Sequence, residues 1–410
     1  MEKDIIQYCP EKKQVEIKSL VDDSFQYSLQ VFDELTIAFL NKLSRQLLTD
    51  KNYNRHPEIV ALGFWLREAN VKQMREENRA WLDSQLYSVN PLGQVFHVAP
   101  ANVDTIFLYS ICISLLMGNR NIVRISSARQ SQVILFIIDC INKVLEEKGF
   151  GPIKNYINVI TYPHDEDINL YLSTHANCRV IWGGDGTVSS FKKIQAAIHT
   201  KDILFPNRIS YSVFGAKAYL ELDKKKQHQV AYNFYNDAYT FDQLGCSSPR
   251  VIYVLGNDRD KEAFTKALYQ NLSEVAETRY HEQAVMLSTQ KYNHLVNDVI
   301  AGNNVEVLSA NNAVYMVELE NKALDLDDCV GGYFYVKHIK DIKEIGKDVP
   351  QSAQTLAHFG ISEPELAELN NALFGKRMDR VVPVGQALAF HYIWDGMNLF
   401  EELSRKRYIK

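Results

Sequence analysis

Apolar residues recur at three- and four-residue spacing through VFDELTIAFLNKLSRQLL (residues 31–48) and HPEIVALGFWLREANVKQM (residues 56–74), so the first 85 residues read mostly as helix. At Gly93 the period shortens. Gly93 to Ala99 is a short apolar strand, and Asn102 to Met117 is a strongly apolar helix closed by Gly118-Asn119. Strands are then predicted at Asn121 to Ile125, Tyr156 to Thr161 and Cys178 to Trp182, separated by a helix over Gln130 to Lys148 and another opening in the acidic DEDINLYL stretch. Strands spaced by helices of this length predict right-handed βαβ units and a parallel sheet. After about Ser210 a second α/β segment begins, with a helix in DKKKQHQVAYNFYNDAYTF, a strand at Arg250 to Gly256 and an amphipathic helix in DKEAFTKALYQNLSEVAE. Further strands are predicted at AVYMVEL and YFYVKHI. From Arg380 runs an aromatic, charged tail of the kind that packs back on another domain or on a partner subunit.

A chain of 410 residues, 46% hydrophobic and 23% charged, has room for two or three domains and a large core without disulfides or a structural metal. The net charge of −5 gives no reason to expect nucleic acid as a ligand. The longest uncharged apolar run, Ile106 to Met117, is about half of the roughly 20 residues that cross a bilayer, so no membrane span is expected. The start MEKDIIQYCPEKK has no apolar core of a signal peptide, which makes the cytoplasm the expected location. Six cysteines lie far apart with no C-x-x-C, so no metal site is expected and the thiols should be free. Cys112 and Cys140 fall on apolar helix faces and Cys178 opens an apolar strand, so these read as core.

Four segments could carry chemistry. Trp182-Gly183-Gly184-Asp185-Gly186-Thr187 links a buried strand to a helix with Thr187, Ser189 or Ser190 as its N-cap, a place where backbone N–H groups can face a pyrophosphate, or else a tight turn with no ligand. It departs from G-x-G-x-x-G at Ser189. Phe241-Asp242-Gln243-Leu244-Gly245-Cys246-Ser247-Ser248-Pro249 puts a cysteine on a loop among small residues that allow close approach of a substrate. Val95-Phe96-His97-Val98-Ala99-Pro100-Ala101-Asn102 puts an amide where a strand feeds a helix, as N-cap or as oxyanion donor, and His97 reads as a satisfied core or cleft residue. Arg124, Ser126, Ser127 and Arg129 leave the C-terminal end of a strand, as ribose and phosphate partners or as a plain basic loop.

Taken in order, HVAPAN, GNRNIVRISS, the glycine turn, GCSSPRVIYV and VVPVGQA resemble the acyl-CoA reductase family of the aldehyde dehydrogenase superfamily, over roughly residues 85 to 400. The nearest resemblance is to the long-chain fatty acyl-CoA reductases of bacterial luminescence. The resemblance implies an α/β fold with a Rossmann-type nucleotide-binding domain over residues 1–210, on which 366–410 pack back, and an α/β catalytic domain over 211–365. It implies Cys246 as nucleophile and Asn102, with the backbone N–H of the nucleophile, as oxyanion hole. It implies Arg124, Ser126, Ser127, Arg129, Gly183, Gly184, Gly186 and Thr187 as the nicotinamide-nucleotide site. Ser127 stands where many NAD-using relatives carry a glutamate, which favours NADPH over NADH. Val213 stands in the place of the glutamate that activates water for thioester hydrolysis, which fits a reductase better than an aldehyde oxidiser. Asp327-Asp328 ahead of Val330-Gly331-Gly332 is a loose match to a ribose-binding carboxylate. A homo-oligomer and an acyl-protein synthetase partner are also implied. The expected reaction is NADPH-dependent reduction of a fatty acyl-CoA to the aldehyde through acyl-S-Cys246. Another activated acyl group, or acyl transfer without hydride, are the alternatives.

Overall fold

The computed structural model describes residues 5–22, 24–53, 56–128, 130–301, 305–319 and 329–410. The chain divides into two compact units, Met1–Asn207 with Phe390–Lys410, and Arg208–Ala389. In the first unit the strands are β1 (Ile5–Cys9), β2 (Lys13–Val15), β3 (Tyr87–Pro91), β4 (Gln94–Val98), β5 (Arg120–Arg124), β6 (Ile157–Thr161), β7 (Cys178–Trp182) and β8 (Lys201–Phe205). Seven of them form one sheet in the order β2-β1-β6-β5-β4-β7-β8. β4 to β8 run parallel, and β1 lies antiparallel to both β2 and β6. All five residues of β4, β6 and β7 are buried, which is why these strands are mostly apolar and do not alternate between an apolar and an exposed polar face.

The helical reading of residues 31 to 74 corresponds to α1 (Glu34–Thr49), α2 (Pro57–Trp65) and α3 (Glu68–Glu77), followed by the single turn α4 (Arg79–Leu82). β1 and β2, ahead of them, were not expected. They are short, and β1 borrows its hydrogen bonds from β6, some 150 residues on. The apolar helix α5 (Ile106–Leu116) is buried at every position, so it has no polar face to mark its ends. It starts four residues later than expected. It stops at Gly118, whose φ of +76° continues no helix and whose added Cβ would stand 2.6 Å from the Leu29 carbonyl oxygen. α6 (Gln132–Glu146) is capped by Ser131, whose hydroxyl accepts from Ile134 N–H at 3.1 Å. α7 (Gly151–Lys154), α8 (Glu166–Thr174) and α9 (Asp185–Lys193) complete the βα repeats.

The returning segment of this unit begins at Phe390. Ser404–Tyr408 pairs antiparallel with β3, and Asn119 donates to the Leu403 carbonyl at 2.8 Å. Residues 366–389 belong to the other unit, because Leu369, Leu373 and Met378 fill its core. Its strands are β9 (Ile209–Gly215), β10 (Pro249–Leu255), β11 (Val305–Ala310), β12 (Tyr315–Leu319), β13 (Tyr333–Ile339), β14 (Ala353–Phe359) and β15 (Arg380–Pro383), in the order β11-β12-β13-β10-β9-β14-β15. All neighbours are parallel except β11 and β12. The helices α10 (Ala216–Leu220), α11 (Lys224–Tyr239), α12 (Asp258–Arg279), α13 (His281–Met286), α14 (Ser288–Ile300), α15 (Ile345–Asp348) and α16 (Glu363–Ala372) connect them. Among the described residues no helix is long and apolar enough to cross a membrane, and no group of three or more His, Cys, Asp and Glu side chains could hold a metal ion.

Candidate active site

In the first unit the chain winds outward from β4 to β5 and β6, then crosses to β7 and β8 on the other side of β4. The reversal lies between β4 and β7. At such a switch point the loops leaving the two strand ends diverge and open a crevice at the carboxyl edge. Two of the four segments singled out in sequence emerge there: Ala99 to Thr105 after β4, and Gly183-Gly184 after β7. The adjoining end of β5 carries Arg124, Ser126 and Ser127.

Gly184, not Thr187, Ser189 or Ser190, is the N-cap of α9, and Asp185, Gly186 and Thr187 form its first turn, all exposed. Two contacts keep the turn tight: an added Cβ on Gly183 would stand 2.9 Å from that of Thr187, and Asp185 Oδ1 accepts the Asn207 N–H at 3.0 Å. The other end of α9 is fastened by Arg179, buried within β7. Its guanidinium pairs with both Asp202 oxygens at 2.6 and 2.7 Å and donates to the carbonyls of Phe191 and Ile194. Asn102 is exposed in the loop after β4 and caps no helix, since α5 opens at Ile106 behind Thr105. The Arg124 guanidinium lies over the Tyr162 ring at 4.9 Å, and its Nε is buried without a hydrogen-bond partner among the described residues. A buried guanidinium N–H with no acceptor is what a ribose or phosphate oxygen satisfies. A glycine turn at a helix start, at a switch point, beside such an arginine, fits a dinucleotide. Ser126 is half-buried, its hydroxyl accepting the Ala128 N–H at 3.3 Å, and Ser127 is exposed. Arg129 and Asp327-Asp328 lie outside the described residues. His97 is fully buried and satisfied on both sides, by Ser110 Oγ at 2.7 Å and Asn121 Oδ1 at 3.0 Å. Burial pulls its pKa down to about 4, so it stays neutral and belongs to the core.

In the second unit Cys246 lies on the loop between α11 and β10, at the edge where β9, β10, β13 and β14 begin. It is half-buried, whereas Cys9, Cys112, Cys140, Cys178 and Cys329 are all buried. Burial pushes the Cys140 and Cys178 thiols up to about 12 and those of Cys9 and Cys112 further still. The loop is tied to three strand starts. Ser210, on β9, donates its hydroxyl to the Cys246 carbonyl at 2.7 Å and accepts the Thr355 N–H at 3.1 Å. Gln354, on β14, donates Nε2–H to the Cys246 sulfur at 3.4 Å. Gln243, fully buried, donates to the carbonyls of Pro249 and Tyr333 at 2.9 Å each and accepts the N–H groups of Gly332 and Tyr333 at 3.0 and 3.1 Å. Asp242 and Gln243 both take left-handed backbone, with φ of +52° and +66°. The Asp242 carbonyl accepts the Gly331 N–H at 3.0 Å, and its carboxylate takes the Tyr280 hydroxyl.

Gln243, Ser210 and Gln354 were missed in sequence. Gln243 stands three residues before Cys246, and Gln354 is a lone amide in an apolar strand. Only pairing across the sheet brings them together. Val213 is buried mid-strand in the apolar core, opposite Tyr253 and His358, while β9 meets the cysteine loop at Ser210. Tyr239 is core, its hydroxyl on the Ala313 carbonyl at 2.9 Å, and Tyr235 stacks on it at 4.9 Å.

The chain matches the acyl-CoA reductase (LuxC) family over residues 36–406. No curated protein matches it. It is similar in structure to an NAD-dependent aldehyde dehydrogenase from Sinorhizobium meliloti, at 11% identity over 99% of this chain and 91% of that one, with a TM-score of 0.64. A salicylaldehyde dehydrogenase from Pseudomonas putida G7 is similar at 13% identity over 96% and 87%, also at 0.64. Aldehyde dehydrogenase 21 from Physcomitrella patens is similar at 11% over 93% and 86%, at 0.61. At such identities the likeness establishes the aldehyde dehydrogenase fold. The family match, which spans most of the sequence and all four candidate segments, goes further: the chain belongs to the acyl-CoA reductase (LuxC) family and is an oxidoreductase of acyl and aldehyde groups.

Proposed function

We propose that the protein reduces a fatty acyl-CoA thioester to the aldehyde with NADPH, through an acyl group carried on Cys246. The observation that carries this reading is the half-buried Cys246 on a loop tied to three strand starts, when every other cysteine is buried. The Cys246 thiolate attacks the thioester carbonyl, and a backbone N–H of the nucleophile stabilises the oxyanion, with Asn102 as the side-chain donor that the family resemblance implies. The carbonyl re-forms as the bond to CoA sulfur breaks, leaving acyl-S-Cys246. A nicotinamide, when bound, would supply the hydride that reduces the thioacyl carbon. The resulting hemithioacetal oxyanion collapses, the C–S bond breaks, and its electron pair returns to the Cys246 sulfur. Gly183, Gly184, Gly186 and Thr187 would present the α9 N-terminus to the pyrophosphate, with Arg124, Ser126 and Ser127 on the adenosine side. The absence of a carboxylate at Ser127 supports NADPH over NADH.

The test is intact-protein mass after incubation with a panel of acyl-CoAs and again after NADPH. The expected result is a one-acyl gain that maps to Cys246 and disappears with NADPH as aldehyde forms. Cys246→Ala should take no acyl group, and Asn102→Ala should acylate about 100-fold more slowly. An adduct indifferent to NADPH and NADH would replace reduction with acyl transfer. No adduct from any acyl-CoA would move the substrate to acyl phosphates or to a partner-delivered acyl group.

A further inference from the structure

The Gln354 carboxamide lies against the sulfur of Cys246 and is itself only 1% exposed. β14 fixes its place: Ala353 pairs with Ile209 and Leu356 with Tyr211, so the irregularity in the β9–β14 ladder falls on Gln354 and Thr355. The Thr355 N–H, released from the ladder there, goes to Ser210 Oγ, the same hydroxyl that holds the Cys246 carbonyl. The Thr355 hydroxyl donates to Gln354 Oε1 at 3.4 Å, and the Nε2 end of the amide is the one that meets the sulfur. One kink in one strand thus supplies a donor to the sulfur and, through Ser210, a brace for its backbone.

We propose that Gln354 is a catalytic residue that stabilises the Cys246 thiolate by donating a hydrogen bond to it. The proposal rests on Cys246 being the nucleophile. An N–H donor favours the charged sulfur over the thiol, which raises the reactive fraction at neutral pH. The same bond serves the last step, when the C–S bond of the hemithioacetal breaks and the electron pair returns to the sulfur. The charged and titratable groups on the turn and strands holding this loop are Asp242 with Tyr280, Arg250 and Tyr253 on β10, Tyr333, Tyr335, Lys337 and His338 on β13, His358 and Tyr211 on β14 and β9, and Arg208 with its partner Asp379. None of them changes in the variants below.

The experiment is alkylation of Cys246 by iodoacetamide against pH, followed by peptide mass mapping, in wild type, Gln354→Met and Gln354→Glu. Methionine keeps the length of the side chain and removes the donor, so the alkylation midpoint should rise by about one pH unit, a tenfold loss of thiolate well below the midpoint. Glutamate adds a like charge and should raise it further. A midpoint unchanged in both folded variants overturns the proposal. If neither variant folds, wild-type protein labelled with 15N-glutamine decides it: the Gln354 side-chain amide must titrate with the Cys246 alkylation midpoint, and an amide that does not respond overturns the proposal equally. Acyl adduct formation on wild type separates the two readings, since failure to acylate Cys246 removes it as nucleophile whatever the alkylation profile shows.

Discussion

Replacing Gln243 by leucine keeps volume and burial but removes four hydrogen bonds at once. The Pro249 and Tyr333 carbonyls and the Gly332 and Tyr333 N–H groups would lose their side-chain partner inside the protein. At about 1 kcal/mol for each bond lost, the variant should be destabilised by about 4 kcal/mol, and by more where water cannot reach the orphaned groups. For a unit of this size that corresponds to a fall in Tm of about 8–16 °C, read by calorimetry or circular dichroism. Function should suffer beyond stability. Asp242 and Gln243 hold left-handed backbone that costs on the order of 1 kcal/mol each, and the Gln243 amide together with the Asp242–Gly331 bond offsets it. Without the amide the turn relaxes and Cys246, three residues on, moves from Gln354. Acylation of Cys246 should therefore slow at temperatures where the variant is still folded. Gln243→Glu sharpens the test: the carboxylate still accepts from Gly332 and Tyr333 but faces two carbonyls with no proton to give. That variant should gain stability on acidification relative to wild type, as its carboxyl regains a donor. A Tm within about 2 °C of wild type together with an unchanged acylation rate in Gln243→Leu would refute the reasoning.

Asp237, on α11, accepts the N–H groups of Gly385 and Ala387 at 2.6 and 2.9 Å and is 1% exposed; burial raises its pKa from 3.8 to about 7 despite those bonds and nearby Arg380. Because the folded protein holds this proton to higher pH than the unfolded chain, its contribution to stability is fully present below pH 3.8 and is lost as pH rises through 7. The urea midpoint of wild type relative to Asp237→Asn should accordingly fall from pH 5 to pH 8; a difference that stays constant would show that Asp237 does not titrate there. Arg179→Leu should cost about 1–3 kcal/mol, since the Phe191 and Ile194 carbonyls lose their donor while the exposed Asp202 is left to water, and should weaken NADPH binding by freeing the end of α9 that Arg179 holds. Isothermal titration with NADPH on the folded variant checks this, and an unchanged Kd would uncouple the arginine from the nucleotide turn.

The βαβ core of both units was legible because its strands are largely buried and therefore mostly apolar: CRVIW and YFYVKHI coincide with β7 and β13, with Arg179, Lys337 and His338 as the polar exceptions. What the sequence concealed is set by distant partners. β1 depends on β6, the kink in β14 on its pairing with β9, and the end of the second unit on Leu369, Leu373 and Met378, whose apolar spacing says nothing about which core they fill. α5, buried all round, lacks the polar face that would have dated its start, and so Asn102 was open to reading as an N-cap. The cysteine and the glycine turn could be picked out because their neighbours in sequence are small or glycine. The amides that hold the cysteine could not, since Gln354 is 108 residues away and Gln243 reads as one polar residue in a polar loop.

That the sulfur is met by a carboxamide has a consequence for the reaction cycle. In the proposed cycle Cys246 alternates between a charged thiolate and a neutral thioester. A buried ammonium or guanidinium placed at the position of Gln354 would stabilise the thiolate more strongly but would be left unpaired in the acyl enzyme, at a cost of roughly 3–5 kcal/mol. A neutral amide loses only one hydrogen bond on acylation, worth about 1 kcal/mol. The weaker donor therefore keeps thiolate and acyl enzyme closer in free energy, so that neither becomes a trap. Gln354→Lys should accordingly alkylate faster than wild type at neutral pH and yet accumulate less acyl enzyme at equilibrium with acyl-CoA and CoA. Rapid-quench mass spectrometry measures both quantities on one sample. A lysine variant that gained thiolate and acyl enzyme together would show that the charge of the partner is immaterial and that Gln354 acts only by its shape.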